Sequence, residues 1–600
     1  MESPKATFER VIQQQTGIAS KLKQQYAFWS GIRVTVFLVL LAAIIYFANL
    51  RNMELVITLV LIFPVLFGLL IKYHNKIAFN RDHAENLRQI NQQEILRLQG
   101  NLKSLNGGSE YIESLHPYNI DLDIFGNHSV FQLLNRSTTF GAKSLLAEWL
   151  SAPSQKKCIE DRQAAVGELM PKFDWRQDFQ AHGMHFQQEE NRIRPLLTWL
   201  GKGNILEAEN LYKTLLFTMP LIATGSLVLF LLDYSFYFLL AAIAVNGIIL
   251  KSTFLAAKDT TTYTSEGSIA LKAYSLLIKK VEDEAFEAPL LRNLKDKFEH
   301  DHFKASVEIK RLQQILYSLE SRANTFYWLL NILLLLDVFW LLKASAWKRK
   351  NKKYAKKWFD TIHEFEVLNG IAGFGYANPD YTMPVITDEN YHLSGTSMGH
   401  PLIIGKKRVV NDFDMHGKGN IIIVTGSNMS GKSTFLRTVG VNAVLALMGA
   451  PVCARDFTIS VCQVFTSMRT QDNLEESVSS FYAELKRLKQ LLDLIGTTHP
   501  VLFMLDEILK GTNSRDRHSG AASLIKQLTA LDSFGFVSTH DLELGALSNH
   551  SGTGNIQNFS FNSQIIDDEI IFDYKLHPGL CKSFNASKLM EKMGIKTTEG

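Results

Sequence analysis

Cysteine is scarce in this chain: Cys158, Cys453, Cys462 and Cys581 are the only four in 600 residues, and no two form a C-x-x-C pair. That scatter excludes a disulfide framework and a thiolate zinc site, and it reads as reduced cytosolic thiols. Charge of one sign is missing too. The formal net charge is +4, so the total says little about partners and local clusters carry the information. A cleaved leader is not expected, because the first apolar run begins as deep as Val34 and a second follows it at once. Evenness is the last thing lacking. Long uncharged runs lie in the first half and mixed soluble sequence fills the second. Six hundred residues exceed what one core can organise, so several domains are expected.

The runs come in pairs. Val34 to Leu50 and Leu55 to Ile71 hold 17 residues each, the second with Pro64 inside, and Arg51-Asn52-Met53-Glu54 links them. That length is the lower limit for crossing a bilayer. Lys5, Arg10, Lys21 and Lys23 precede the pair, and Lys72, Lys76, Arg81 and Arg88 follow it. Both ends therefore read as cytoplasmic. Leu215 to Leu232 and Phe236 to Leu250, split by Asp233, form a second such hairpin between Lys213 and Lys251. Thr325 to Leu342 is apolar as well but contains Asn331 and Asp337. A buried carboxylate is costly in a bilayer, and a fifth crossing would put the rest of the chain outside, so a buried core helix is expected there.

Between the runs the pattern is soluble and mostly helical. Residues 77 to 105 predict an amphipathic helix with Leu87, Ile90, Ile95 and Leu98 on one face, ended by Gly107-Gly108. Val307, Leu312, Ile315 and Leu319 predict an apolar stripe. Lys343 to Lys357 carries eight basic residues and no acid, interleaved with Trp347 and Tyr354. Three readings of it stand open: a nucleic-acid phosphate contact, an anionic lipid contact, and a solvated helix face. From Pro384 onward strand and helix signals alternate, which predicts a parallel α/β sheet with covered faces.

The chemistry concentrates in that last part. Gly426-Ser427-Asn428-Met429-Ser430-Gly431-Lys432-Ser433-Thr434 follows the apolar run Ile421 to Val424 and opens a segment with helical spacing. Strand, glycine loop and helix are the setting in which G-x-x-x-x-G-K-[ST] binds phosphate. The loop amides and the helix N-terminus attract the anion, Lys432 reaches the terminal phosphates, and Ser433 offers a hydroxyl to Mg²⁺. Val501 to Leu505 reads as a buried strand ending in Asp506-Glu507. An Asp there can hold Mg²⁺, and the next carboxylate can polarise a water lined up on the γ-phosphate. Phe534 to Thr539 is another such strand, ending in His540, which is placed to touch the γ-phosphate or that water.

These residues carry a family resemblance. Gly426 to Thr434, Asp506-Glu507-Ile508 with Gly511-Thr512-Asn513-Ser514, and Ser538-Thr539-His540 resemble the phosphate loop, Walker B segment and switch histidine of the MutS mismatch-repair ATPases. Asp472-Asn473-Leu474, Ser479-Ser480-Phe481 and Glu484 are similar to that family's signature segment, which reaches across a dimer. Gly399-His400-Pro401 with Asn411-Asp412 sits where the family approaches the nucleotide base, and Gly126 to Arg136, Leu145 to Pro153 and Phe359 to Gly373 resemble parts of its helical core and lever.

Departures accompany it. Ser427 and Ser430 stand where Pro and Gly are usual, and Ser477 replaces the signature glycine. Arg408-Val409 stands where an aromatic and an aliphatic residue often hold adenine, and an Arg plane is one way to replace them. No mismatch-reading domain with a Phe-x-Glu wedge precedes the core, and the 215 to 250 hairpin occupies the place of the DNA clamp.

The apolar runs and the resemblance together imply a multidomain protein: transmembrane hairpins from the runs, and from the resemblance a helical core and lever and a C-terminal α/β P-loop ATPase of ABC type. The boundaries expected are 1–75 for the first hairpin, 76–115 for a helical linker, 116–205 and 256–383 for the two halves of the core, 206–255 for the second hairpin and 384–600 for the ATPase. ATP and Mg²⁺ are the implied cofactors. Gly426 to Thr434 and, from the opposing subunit, Ser479 would bind the nucleotide, and Ser433 and Asp506 the metal. Lys432, Glu507 and His540 would be catalytic. A homodimer, a cytoplasmic membrane crossed about four times, and DNA are the implied partners. The rival readings are an ATP-driven switch or scaffold without DNA, and a transporter-type ATPase, for which an L-S-G-G-Q-like signature is lacking.

Overall fold

The computed structural model describes residues 2–185, 193–264, 267–300, 303–427, 429–469, 480–549, 556–566 and 569–581. Two helices of 46 residues, Pro4–Asn49 and Met53–Leu98, make the first hairpin, and Glu209–Leu231 with Phe236–Thr264 make the second. The four are long and apolar enough to cross a membrane, or up to five helices are if a bent pair farther on counts as one. Ser3 caps the first helix by accepting the Ala6 amide at 3.3 Å, with Pro4 as its first residue. Arg51 and Asp233 take left-handed φ of 56° and 60° in the two hairpin turns.

The first hairpin does not stop at its apolar runs. The amphipathic segment expected from 77 to 105 is the continuation of the second apolar run, and the helix ends at Leu98, before Gly100 with φ 72°. Gly107 ends nothing. It lets the chain pass against Gly126, whose amide donates to Gly107 O at 2.8 Å, and a Cβ there would stand 2.3 Å from Gly126 O. The buried face of this extension is partly charged. Glu94 is buried and receives Arg136 at 2.7 Å and Arg97 at 2.8 Å. Burial alone would raise its pKa, but these guanidiniums overcome that and hold it below the usual carboxylate value. At the same open end of the hairpin, Phe8 is buried with its ring 6.1 Å from Phe173 and 6.0 Å from Tyr376.

The expectation of one buried core helix over 325–342 is corrected. Thr325–Leu334 and Leu336–Ala377 are separate helices, and the pair is bent by 78°. Leu335 between them has φ 52°. Leu329 and Leu330 on the first arm are exposed, whereas Val338 and Leu341 on the second are buried. The polar residues in the run explain the break. Asn331 Oδ1 accepts the Asp337 amide at 2.9 Å, and Asn246 of the second hairpin donates to the Ile332 carbonyl at 2.7 Å. Asp337 in turn receives Tyr327 OH at 2.9 Å and faces Arg322 at 3.0 Å. Side chains thereby satisfy backbone groups that the interrupted helix releases.

The long helix Leu336–Ala377 absorbs much of the basic run. Lys348 Nζ donates to Trp199 O at 2.7 Å and Gly203 O at 3.0 Å, Lys352 reaches Gly201 O at 3.3 Å, Lys350 pairs with Glu308 at 3.1 Å, and Arg349 pairs with Glu209. Trp347 and Trp358 are buried and donate their indole N–H groups to Glu308 O and Lys297 O. Half of the cluster is thus spent on holding the helical body together. In the expected stripe of the neighbouring helix Ala305–Glu320, Leu312, Ile315 and Leu319 are buried but Val307 is exposed, and Ile309 and Leu316 complete the face instead.

Beyond residue 384 the chain builds two sheets, not one. Val385–Thr387, Asp456–Ser460, His392–Met398 and Asn411–His416 lie in that spatial order in a mostly antiparallel sheet. The six-stranded sheet has the order Glu569–Pro578, Ile556–Ile566, Ile421–Gly426, Ser533–Thr539, Val501–Asp506, Gln463–Ser467. Its last five strands are parallel, and the first is an antiparallel edge. The helical body covers the other edge: Thr466 donates its amide to Pro117 O at 3.0 Å, and Asp121 accepts from Thr466 Oγ1 and the amides of Met468 and Arg469. One apolar core runs through both parts, from Leu102 to Phe561. The four cysteines are free thiols, Cys158 exposed and the others buried.

Candidate functional site

Three neighbouring parallel strands end side by side. Ser538 pairs in register with Val424 on one side and Asp506 on the other. The segments that follow, the glycine loop after Gly426, Glu507 after Asp506 and His540 after Thr539, therefore meet at the carboxyl edge of the sheet. In open α/β sheets ligands bind at that edge. The strands are there because Ile421 to Val424, Val501 to Leu505 and Phe534 to Val537 are apolar runs too short for helices and buried on both faces.

The loop turns into the helix Lys432–Met448 at Gly431, whose φ is 106°. A Cβ on Gly431 would stand 3.1 Å from the Tyr574 ring, so the position requires glycine for both reasons. Lys432 is buried, and its Nζ donates to Gly426 O and Ser427 O at 3.0 Å each, 3.5 Å from His540 Nε2. Burial lowers the pKa of this ammonium, and the Glu507 and Asp506 carboxylates oppose the shift. Ser430 Oγ is buried with no hydrogen-bond partner among the described residues. Met429 is exposed at φ 68°, Ser427 and Ser433 are half-buried and Thr434 is exposed. A cation, a helix N-terminus and an unpaired hydroxyl together make a cradle for an anion.

Opposite stand the carboxylates. Asp506 Oδ1 accepts from Ser538 Oγ, which fixes one oxygen and leaves the other. Glu507 has φ 52° and is held from two sides, by His540 Nε2 at 2.6 Å and Lys510 Nζ at 3.0 Å. The hydrogen bond from His540 is the largest influence on it. With Lys510 it outweighs burial and takes the Glu507 pKa down to about 2. Glu507 is thus a fixed anion at neutral pH, suited to orienting and polarising a water more than to storing a proton. A cavity of about 610 Å³ opens beside Glu507 and His540. Glu484 on the helix Ser480–Leu494 accepts the Leu509 amide and so ties the loop after Glu507 to that helix.

A second cavity, of about 300 Å³, adjoins the glycine loop and is lined by His400, Val409, Asn411, Gly431, Phe435 and Tyr574, among others. The suggestion that Arg408 lends a stacking plane here is corrected. Its guanidinium turns away and donates to His400 O at 3.1 Å and Ile403 O at 2.8 Å, over the Tyr381 ring. Beside the buried Phe435 and Phe561, the cavity has the exposed ring of Tyr574. Its backbone is clasped by Asn411, which donates to Tyr574 O at 3.1 Å and accepts from Leu576 N at 2.8 Å. Nothing local marks Tyr574; only the pairing of the terminal hairpin brings it over the loop. Burial, helped by the nearby Arg437 and Arg408, takes the pKa of His400 down to about 4 and keeps it neutral.

Asn428, Asp472 to Leu474, Ser477 and Ser479 lie outside the described residues, as does the side chain of Ser480. All the other expected site residues flank the one sheet edge.

The family model for MutS domain V matches residues 422–595. The chain is 29% identical over 250 residues to "DNA mismatch repair protein MutS" of Thermotoga sp. (strain RQ2), covering 41% of this chain and 31% of that protein. It is 29% identical over 236 residues to "MutS protein homolog 4" of Mus musculus, covering 38% and 24%. With "DNA mismatch repair protein MSH3" of Candida glabrata it shares 32% identity over 176 residues, covering 28% and 17%. The chain thus spans about a third or less of the length of these relatives.

Proposed function

From a chain that belongs to the MutS family through its C-terminal domain, we propose a membrane-anchored ATPase of MutS type, paired through its nucleotide sites. The observation that carries this reading is the meeting of Lys432, Ser433, Asp506, Glu507 and His540 at one edge of three adjacent parallel strands. In the reading, residues 384–600 are a P-loop ATPase. Lys432 leaves the carbonyls of Gly426 and Ser427 to meet the β- and γ-phosphates, and Ser430 Oγ gains a partner. The cavity lined by Val409 and Tyr574 takes the adenine, with the tyrosine ring on its face.

Ser433 and the unbonded oxygen of Asp506 are the groups that would hold Mg²⁺, and they fit it, since both are hard oxygen donors. When bound, the ion neutralises charge that develops on the phosphates. Glu507 orients water for in-line attack, and His540 passes the state of the γ-phosphate to Glu507 through their 2.6 Å contact. Ser479 serves the site of the partner subunit, and Glu484 couples that signature segment to the loop behind Glu507. The four apolar helices anchor the chain in a cytoplasmic membrane with the ATPase in the cytosol. Support for this is that their apolar windows are largely unburied by the protein itself.

The relatives named for DNA mismatch repair favour a second element, a DNA-handling role of that kind. Four residues of the basic run hold partners within the protein, but all except Lys348 are exposed, so the run stays available to phosphates. Turnover of the detergent-solubilised chain tests both parts. Glu507→Gln is expected to keep ATP binding within a few-fold while losing roughly 10²–10⁴ in hydrolysis, the range for a positioned acid–base group. Normal turnover in that variant removes Glu507 from the mechanism. A DNA-stimulated rate that falls steeply with salt supports DNA handling, and no response at low salt leaves an ATP-driven membrane switch.

A further inference from the structure

Twelve residues past its apolar run, the second helix of the first hairpin lies against the helix Phe173–Met184 of the soluble body. His83 comes from the former. Asp178 and His182 lie one turn apart on the latter, and His185 follows its end. One ligand-type atom from each of His83, Asp178 and His182 lies within 4.8 Å of the other two. His83 Nε2 is 2.8 Å from Asp178 Oδ1, His182 Nδ1 is 3.5 Å from the same oxygen, and His83 Nδ1 is 3.4 Å from His185 Nε2. Phe79 stacks on the His185 ring at 4.0 Å.

The details suit coordination better than packing. Asp178 already has a counter-ion, because Lys280 Nζ holds its other oxygen, Oδ2, at 2.6 Å. That contact orients the carboxylate and leaves Oδ1 toward the His83 and His182 rings, as outer partners orient metal ligands. His182 Nδ1, the nitrogen nearest Oδ1, also lies 2.7 Å from the Asp178 carbonyl, a contact that gives way when this nitrogen turns its lone pair to an ion. Side-chain exposures of 19%, 30% and 21% for His83, Asp178 and His182 leave the group reachable from solvent. Asp178 and Lys280 also border a cleft of about 1570 Å³.

We propose that His83, Asp178 and His182 bind one divalent ion of the zinc class that staples the membrane-hairpin helix to the helical body. Imidazole-rich donors select zinc-class ions over Mg²⁺ and Ca²⁺, which prefer oxygen. Metal–ligand distances of about 2.0–2.2 Å put ligand atoms roughly 3.3–3.6 Å apart in a tetrahedron, so the His83–Asp178 contact opens by about half an ångström on binding. The staple acts on the helix that runs unbroken from the apolar hairpin to Glu94, and it would set how rigidly that helix rides on the body.

The test uses the full-length, untagged chain in detergent, stripped with chelator and titrated with Co²⁺ as the probe. Expected is a visible d–d band saturating at one ion per chain, displaced by Zn²⁺, with a Zn²⁺-dependent rise in melting temperature. His83→Gln and His182→Ala should each weaken Co²⁺ binding at least about tenfold, and His577→Ala should leave it unchanged. Mg·ATP turnover of His83→Gln reports whether that variant is folded, and His182→Gln serves in its place if it is not. Affinity unchanged in the folded variant, or absence of the band from the wild type, overturns the proposal. So does a band lost on His392→Ala instead, which would assign the ion to the separate group Glu389, His392 and His416.

Discussion

The apolar hairpins and the C-terminal sheet use the same side chains in opposite directions. Val39 is 60% exposed and Val65 65%, whereas Ile421, Ile422, Ile423 and Val424 are each at 0%. Apolar content therefore says only that water must be kept away. In the sheet the protein's own helices and neighbouring strands do this, over short runs flanked by soluble sequence. Along most of the hairpins' apolar length nothing among the described residues does, so a lipid phase or another protein surface must.

The largest way to break the contrast is at the junction of the two regions. Glu94→Ala leaves Arg97 and Arg136 buried without their carboxylate and should cost about 3–5 kcal/mol, read as a lower denaturant midpoint of the solubilised chain. The next compares like with like. Ile423→Ala should cost about 2–5 kcal/mol, whereas Val39→Ala should change stability in detergent by no more than about 0.5 kcal/mol. Equal costs would show that the hairpin packs against protein in solution. Val65→Lys sharpens the same point: insertion of the hairpin should lose roughly 2.5–3.5 kcal/mol in a membrane-integration assay. No loss would mean that this face never meets lipid.

The smallest expected effect lies at the sheet edge and depends on pH. Folding lowers the pKa of Glu507 from 4.5 to about 2. Its ionised form is therefore favoured in the folded protein. The stabilisation is complete above about 4.5 and is lost as the pH falls toward about 2. In Glu507→Gln the acid dependence of the melting temperature across that window should be shallower than in the wild type. An unchanged slope would show that the contacts with His540 and Lys510 do not hold this carboxylate in solution.

Legibility followed locality. The glycine loop, Asp506-Glu507 and His540 could be placed because each sits at the end of a strand visible in its own residues, and parallel pairing of those strands then forces them together. The break at Leu335 could not. Asn331 and Asp337 read as polar faults in a buried helix, whereas they cap and satisfy the chain where it bends, with help from Asn246 eighty-five residues before Asn331. Arg408 and Tyr574 exchanged expected roles for the same reason. Backbone carbonyls of a nearby loop take the guanidinium, and the terminal hairpin supplies the ring.

Sequence by itself determined where water is excluded, where the chain turns from strand to helix through glycine, and which side chains stand at strand ends. Those are consequences of side-chain hydrophobicity and backbone sterics, which act over a few residues. Tertiary structure alone decided which charges are spent on packing, as with Lys348 and Arg349, and which partners fix Glu507, Asp506 and His83. Such pairings join residues that are remote along the chain, and the strength of each depends on burial and on a fit that only the folded backbone provides.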